Sequence, residues 1–156
     1  DDVPAMIMAN LLFGGTSNAK LFLNVREKLS LCYYASSSYA RSKGIMTVSS
    51  GIETKNFQQA HDEILHQLEL IKQGQWEEWE LQGALATMCS SLTSLSDSQG
   101  ALENYYLGQT AIGIEETPEE LMELLRRVTP ERIRTAAQSC RLDTVFFLKG
   151  KEEGVC

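Results

Sequence analysis

Apolar positions recur with helical spacing along most of the chain, and they define the first predicted elements. Residues 3–13 form an apolar stretch that predicts a helix, which Gly14 and Gly15 are expected to end. Either Ser17 or Asn18 is expected to cap a second helix, which runs to about Leu29. The residues predicted on the inner face of this second helix are Leu21, Phe22 and Val25.

The spacing then changes to one that is typical of strands. Residues 31–41 are rich in Tyr and Ser, residues 45–53 are rich in β-branched side chains, and Ser42-Lys43-Gly44 lies between them as a turn signal. This pattern predicts an antiparallel hairpin. Alternation along its second strand places Met46, Val48 and Ile52 on the inward face.

Helical spacing returns in the second half of the chain. Two of the helix starts carry strong signals, Thr117-Pro118-Glu119-Glu120 and Thr129-Pro130-Glu131, each with a Thr cap and Pro at the first position. The predicted helices cover residues 56–73, 76–95 and 97–112, a segment that begins at residue 118, and residues 130–140. Residues 144–149 read as a final, fully buried strand.

This order of elements predicts the fold class. About six helices and three strands indicate an α+β fold, in which helices cover one face of an antiparallel sheet. We expect one domain over residues 1–150, followed by a short tail at residues 151–156. Three strands are few for so many helices, and the chain begins at Asp1. We therefore expect the domain to be partial, with its opening strand or strands upstream.

Charge and composition exclude several functions. A net charge of -7 disfavours a nucleic-acid partner, because a duplex binder needs a cationic surface. No apolar run approaches the ~20 residues that cross a bilayer, so we expect no membrane partner. The four cysteines, at positions 32, 89, 140 and 156, form no CxxC pair and are interpreted as free thiols in a reducing compartment. We expect a bacterial cytoplasmic location.

The sequence offers few side chains for catalysis on its own. Its only histidines, His61 and His66, lie five residues apart, about 140° around a helix, so they do not suit one zinc ion. Neither HExxH nor HxxEH occurs, and no GxSxG marks a nucleophilic serine. Cys32 has no nearby histidine in the sequence, and the paired glutamates at helix starts complement helix dipoles. We therefore predict no metal site and no catalytic residue in this chain.

One pair of polar residues deserves a separate interpretation. Arg26 lies at the end of the second predicted helix, and Tyr33 opens the first strand, seven residues later. A guanidinium and a phenol at one junction could both donate hydrogen bonds to a carbonyl oxygen. A structural arginine beside a half-buried tyrosine explains the same residues, and the residues alone favour that reading.

A family resemblance shifts this balance towards substrate contact. Residues 10–22, NLLFGGTSNAKLF, resemble the segment N-x-x-L-G-G-x-x-S-x-L-F of the pitrilysin/insulinase-type (M16) metallopeptidases, in their C-terminal half without zinc. Residues 25–33 resemble V-R-E-K-x-G-L-x-Y, and further matches follow in order at residues 44–53, 76–95, 117–121 and 128–131. The resemblance covers nearly the whole chain.

The resemblance implies two similar halves that close around a peptide. The N-terminal half, or a partner subunit, would supply zinc and the catalytic glutamate, whereas this half would supply Arg26 and Tyr33 to bind a peptide or unfolded protein. The chain alone would then be inactive within a zinc metalloendopeptidase. A parent that has lost its zinc motif, with this chain as a peptide-binding or assembly module, stays open, as do a homodimer and an unrelated interaction domain.

Two residues depart from the family pattern. Ser30 stands where the family usually has Gly, so we expect the turn before Tyr33 to have a different shape. Lys20 stands where the family usually has a small or polar residue.

Overall fold

The computed structural model describes residues 2–150, and in this range a two-stranded hairpin packs against a layer of helices. The predicted tail, residues 151–156, lies outside the described residues, together with Cys156. The strands are β1 (Cys32–Ala40) and β2 (Ile45–Ile52). The α-helices are α1 (Val3–Asn10), α2 (Phe57–Lys72), α3 (Glu78–Thr93), α4 (Gln99–Thr110), α5 (Pro118–Arg126) and α6 (Pro130–Gln138). The predicted α+β fold class is confirmed.

Two helical segments near the N-terminus are wound more loosely than an α-helix. The first π-helix (Leu11–Gly15) continues α1, and the second π-helix (Leu21–Lys28) follows a short turn. The expected Ser17 or Asn18 cap is wrong, because both residues lie in this turn and Lys20 precedes the helix without a side-chain cap. Short 3-10 turns at Thr54–Asn56 and Ser94–Asp97 precede α2 and follow α3.

Local sequence signals explain where the other helices begin and end. The Thr117 hydroxyl accepts a hydrogen bond from the Glu120 amide, and the Glu120 carboxylate accepts one from the Thr117 amide, which forms the predicted capping box of α5. The Thr129 hydroxyl accepts a hydrogen bond from the Arg132 amide and so caps α6. Gly74 ends α2 with a φ of 77°, a left-handed conformation that glycine adopts without steric cost.

The hairpin presents only one face to the helices. Ala35 and Ser37 of β1 are buried, and the Ser37 hydroxyl donates to Oδ1 of Asn10 at 2.8 Å. Residues of β2 pair with β1 on the side away from most helices, so Val48 is 36% exposed although Met46 and Ile52 pack on the core. The predicted inward position is therefore wrong for Val48. Its partner Ser37 shares its face, but β1 is the strand that packs against α1 and the two π-helices.

The core lies between the hairpin and the helices. Its largest side chains without solvent exposure come from α1, both π-helices, α2, α5 and α6, and they are Met8, Leu12, Phe13, Leu21, Val25, Ile71, Leu125 and Ile133. Burial of apolar side chains is the main stabilising term of such a fold. None of the helices in residues 2–150 is both long and apolar enough to span a lipid bilayer.

The predicted strand at residues 144–149 is wrong for the described chain. These residues have no regular hydrogen-bonded structure, and Phe146 and Leu148 are 83% and 81% exposed. A strand needs a neighbour that pairs with its backbone, and the described sheet contains only β1 and β2. Phe147 alone is partly covered, because its ring stacks on Phe57 with the centroids 4.3 Å apart.

Candidate functional site

The candidate site is the junction between the second π-helix and β1. Two nested backbone hydrogen bonds close this junction, from the Ser30 amide to the Arg26 carbonyl (3.1 Å) and from the Leu31 amide to the Val25 carbonyl (3.0 Å). Ser30 has a φ of 50°, which is the left-handed conformation that favours glycine. The chain thus turns sharply from the helix into the strand, and Arg26 and Tyr33 lie on either side of this turn.

Arg26 is held loosely on the surface of the π-helix. Its guanidinium carbon lies 4.7 Å from the centre of the Phe22 ring, and its Nε lies 3.6 Å from Oε1 of Glu27. The predicted inward position of Phe22 is only partly right, because Leu21 and Val25 are buried while Phe22 is half-buried beneath the arginine. The Arg26 side chain remains 42% exposed, so its donors can still bind another group.

Tyr33 projects from an irregularity in the sheet. Cys32 pairs with Ile52 and Tyr34 pairs with Gly51, so Tyr33 is the extra residue of a β-bulge. Its side chain is 72% exposed, which contradicts the half-buried tyrosine of the structural interpretation. Bulges commonly redirect a side chain out of the regular alternation of a strand, and they are frequent beside functional sites.

Two side chains around the junction have pKa values that their neighbours shift. Burial raises the pKa of the Cys32 thiol, while its hydrogen bond with Ser50 and the positive charge of Arg26 act in the opposite direction. A raised pKa lowers the fraction of nucleophilic thiolate at neutral pH. Just after β2, the Lys55 ammonium lies 2.7 Å from a carboxylate oxygen of Glu53. This contact, together with a smaller effect of Tyr33, raises the pKa of Lys55.

No hydrogen bond joins Arg26 to Tyr33 in the described part of the chain, so the two groups are separate donors, each exposed to solvent. His61 and His66 both lie on α2, and the Nδ1 of His61 is 3.2 Å from a carboxylate oxygen of Asp62. Among residues 2–150, no three His, Cys, Asp or Glu side chains are grouped closely enough to hold a metal ion.

Sequence reasoning missed the buried polar contacts beneath the junction. Lys20 reaches Glu80 on α3, and Asn24 reaches Gln67 on α2, over separations of 60 and 43 residues. No local pattern links positions so far apart. The one available signal was the charge of Lys20 at a position where small or polar residues are usual in the resembling family.

Comparison with known proteins shows which family this chain resembles. The family model described as "Peptidase M16 inactive domain" matches residues 1–88, more than half of the chain. A relative from Bacillus subtilis (strain 168), named "Probable inactive metalloprotease YmfF", is 40% identical over 97% of this chain and 35% of its own length. A second relative from the same strain, named "Uncharacterized zinc protease YmxG", is 26% identical over 85% of this chain and 33% of its own length.

Solved structures agree on the fold. A conserved protein from Enterococcus faecalis V583 superposes with a TM-score of 0.79 at 37% identity, covering 88% of this chain and 33% of that one. A protease from Helicobacter pylori gives a TM-score of 0.68 at 18% identity, covering 88% of this chain and 34% of that one. The chain thus spans about a third of the length of the relatives it matches. It belongs to the peptidase M16 family, as a domain of the non-catalytic, C-terminal type.

Proposed function

We propose that this chain is the substrate-binding, non-catalytic half of an M16-type zinc endopeptidase, and that Arg26 and Tyr33 contact the peptide. The observation that carries the proposal is the exposure of both donor groups on either side of one turn. Neither side chain is used to satisfy a buried partner. The Arg26 guanidinium stacks on Phe22 but stays 42% exposed, and Tyr33 is 72% exposed, so both donors remain available to a ligand.

The two side chains suit complementary tasks. The Tyr33 hydroxyl is a neutral donor that can bind a substrate carbonyl oxygen and stabilise it as negative charge develops during peptide hydrolysis. The Arg26 guanidinium presents several donors in a fixed plane, which suits binding of successive carbonyl groups or a carboxylate of an extended peptide. Holding the peptide in register contributes to rate by orienting the reacting bond.

The residues that the structure describes, 2–150, do not fit a zinc ion. His61 and His66 are separated around α2, and neither belongs to a group of three His, Cys, Asp or Glu side chains among the described residues that could hold a metal ion. We therefore assign zinc and the general base to an N-terminal half or partner subunit, and no step of hydrolysis is assigned to a metal on this chain. The cytoplasmic location and a homodimer stay predictions.

A second candidate function is a peptide-binding or assembly module without any proteolytic activity. It is favoured by the name of the relative that is 40% identical, a probable inactive metalloprotease. Both candidates use the same exposed pair, and they differ in whether the parent protein contains a functioning zinc site.

The test uses the full-length protein that contains this chain and an unfolded, fluorescently labelled peptide. We expect zinc-dependent cleavage, with Tyr33→Phe lowering kcat by about 10²-fold and Arg26→Ala raising KM by about tenfold. Tyr34→Phe and Lys28→Ala are matched controls, because these exposed neighbours have no assigned role and should leave both constants unchanged.

The outcomes separate the candidates. Unchanged turnover and binding in both Arg26→Ala and Tyr33→Phe would remove the assigned roles. Peptide binding that depends on Arg26, without cleavage at any zinc concentration, would identify the inactive module instead.

A further inference from the structure

The second π-helix, which carries Arg26, is fixed at two points by side chains that are almost completely buried. Such helices are rare because their i→i+5 hydrogen bonds compete with the tighter α-helical arrangement, and they are frequent at functional sites. Here the amide of Leu29 donates to the carbonyl of Asn24, five residues earlier, at 3.2 Å. The contacts that hold this winding come from α2 and α3, which are distant in sequence.

The first fixed point lies at the start of the π-helix. The Lys20 ammonium donates to both carboxylate oxygens of Glu80, at 3.1 and 3.3 Å, and the two side chains are only 9% and 8% exposed. The same carboxylate accepts a hydrogen bond from the Glu77 amide at 2.7 Å, which completes the capping box of α3. Removal of either partner would leave a buried charge without compensation, so the helix start is strongly specified.

The second fixed point lies in the middle of the π-helix. The Asn24 amide donates to Oε1 of Gln67 at 3.0 Å and also to the Lys20 carbonyl at 3.1 Å. Gln67 is 4% exposed and donates in turn to Oε1 of Glu63 at 2.6 Å. This chain of donors and acceptors satisfies each buried amide in one orientation of the helix only.

The contacts of Lys20 with α3 and of Asn24 with α2 together fix the rotation of the π-helix, and Arg26 follows only two residues after Asn24. If the backbone bonds closed at i→i+4, every later residue would rotate about the helix axis and Arg26 would leave the junction. We propose that Gln67 and Glu80 are positioning residues for Arg26, acting through the winding of the second π-helix. This inference rests on the proposed function, because it assigns a purpose to the position of Arg26.

The test is a double-mutant cycle on peptide affinity in the full-length protein. Gln67→Leu removes the contact with Asn24 at similar volume, and we expect it to weaken binding about tenfold in the wild-type background. In the Arg26→Ala background we expect no further weakening, because the residue that Gln67 positions is already absent. Gln59→Leu is the control, the same substitution at an exposed position of α2, and it should leave affinity unchanged in both backgrounds.

Amide hydrogen exchange provides a second measurement. We expect Gln67→Leu to accelerate exchange at Leu29, Ser30 and Leu31, while the amides of α5 keep their protection. Lys20→Met combined with Glu80→Gln removes both charges together, so that neither is left buried without a partner, and it tests the first fixed point by the same two measurements. It serves in place of Gln67→Leu if that variant fails to fold.

Each result decides one claim. An equal loss of affinity from Gln67→Leu in both backgrounds, or unchanged exchange at residues 29–31, would overturn the positioning role. If Arg26→Ala alone leaves peptide affinity unchanged, the proposed function fails, and exchange at residues 29–31 decides whether the winding depends on Gln67.

Discussion

Ser30 adopts a strained backbone conformation at the turn that separates Arg26 from Tyr33. Among the described residues it is the one non-glycine residue with a positive φ, at 50°. A left-handed conformation costs a residue with a Cβ atom roughly 1–2 kcal/mol, and the greater freedom of glycine in the unfolded chain offsets part of the gain. Ser30 thus adopts a conformation that glycine would adopt at lower steric cost.

We predict that Ser30→Gly raises the free energy of unfolding by up to about 1 kcal/mol. Urea unfolding monitored by circular dichroism would measure the change. Ser30→Ala retains the Cβ atom and should give no stabilisation, so equal effects of the two substitutions would show that strain is not the cause.

Gly14 is required for a close approach between the first π-helix and β1. A Cβ atom at this position would lie 2.7 Å from both the Ser37 amide nitrogen and a methyl carbon of Leu21. Because the backbone of β1 cannot move without disturbing its pairing, this space is not available to a larger residue. The glycine pair that the sequence suggested as a helix stop therefore has a packing role as well.

We predict that Gly14→Ala lowers the free energy of unfolding by about 1–3 kcal/mol through overpacking. Gly83→Ala is a matched control within α3, where a Cβ atom meets nothing within 4 Å, and it should stabilise by about 0.5–1 kcal/mol. Thermal unfolding of both variants measures the contrast, and destabilisation by Gly83→Ala would show that the argument from local space is incomplete.

At the scale of elements, one ion pair joins the start of α1 to α6. Arg132 donates from Nε to Oδ2 of Asp2 at 2.7 Å and from Nη2 to Oδ1 at 2.8 Å, and Asp2 also caps α1 through the Ala5 amide. The hydrogen bonds with Arg132 hold the pKa of the Asp2 carboxyl below its ordinary value of 3.8. The folded state thus favours the ionised carboxylate.

The sign of the resulting pH dependence follows directly. A depressed pKa contributes stability that is complete above the ordinary value of 3.8 and is lost as the pH falls through the lower folded value. We predict that Asp2→Asn, which can still cap the helix, removes this part of acid sensitivity below about pH 4, an effect of no more than about 1 kcal/mol for an exposed pair. Arg132→Gln should remove the part of this effect that comes from the hydrogen bonds of Arg132 with Asp2, and a wild-type slope in Asp2→Asn would contradict the assignment.

The elements differ in how far the sequence could predict them. The starts of α5 and α6 depend on Thr, Pro and Glu within four residues, so the local sequence was sufficient to predict where these two helices begin. The π-winding of residues 21–28 depends on Lys20–Glu80 and Asn24–Gln67, which meet only after folding. The Arg26 and Tyr33 spacing was visible in the sequence, but the bulge that exposes Tyr33 depends on its pairing with β2.

At the scale of the whole molecule, the segment at residues 141–150 lies outside the packed core. The apolar residues of this segment resemble those of a buried strand. The sequence does not show whether a neighbouring strand is available to pair with it. Phe147 contacts Phe57, whereas Phe146 and Leu148 remain exposed. The stacking of Phe147 on Phe57 is thus an aromatic contact that joins this segment to the start of α2.

We predict that Phe146→Ser combined with Leu148→Ser leaves the free energy of unfolding of the chain within about 0.5 kcal/mol of wild type. Phe147→Ser should lower it by about 1 kcal/mol, because it removes a stacked aromatic pair. Denaturant unfolding measures both changes, and binding of the dye ANS should fall in the double variant. A large destabilisation by the double variant would show that these side chains pack on the folded domain.

The exposed side chains of Phe146 and Leu148 affect how this protein behaves in concentrated solution. Exposed apolar side chains promote self-association as the protein concentration rises. We therefore expect aggregation to begin at residues 141–150. A version with serines at positions 146 and 148, which keeps the contact between Phe147 and Phe57, is the better starting material for crystallisation and spectroscopy.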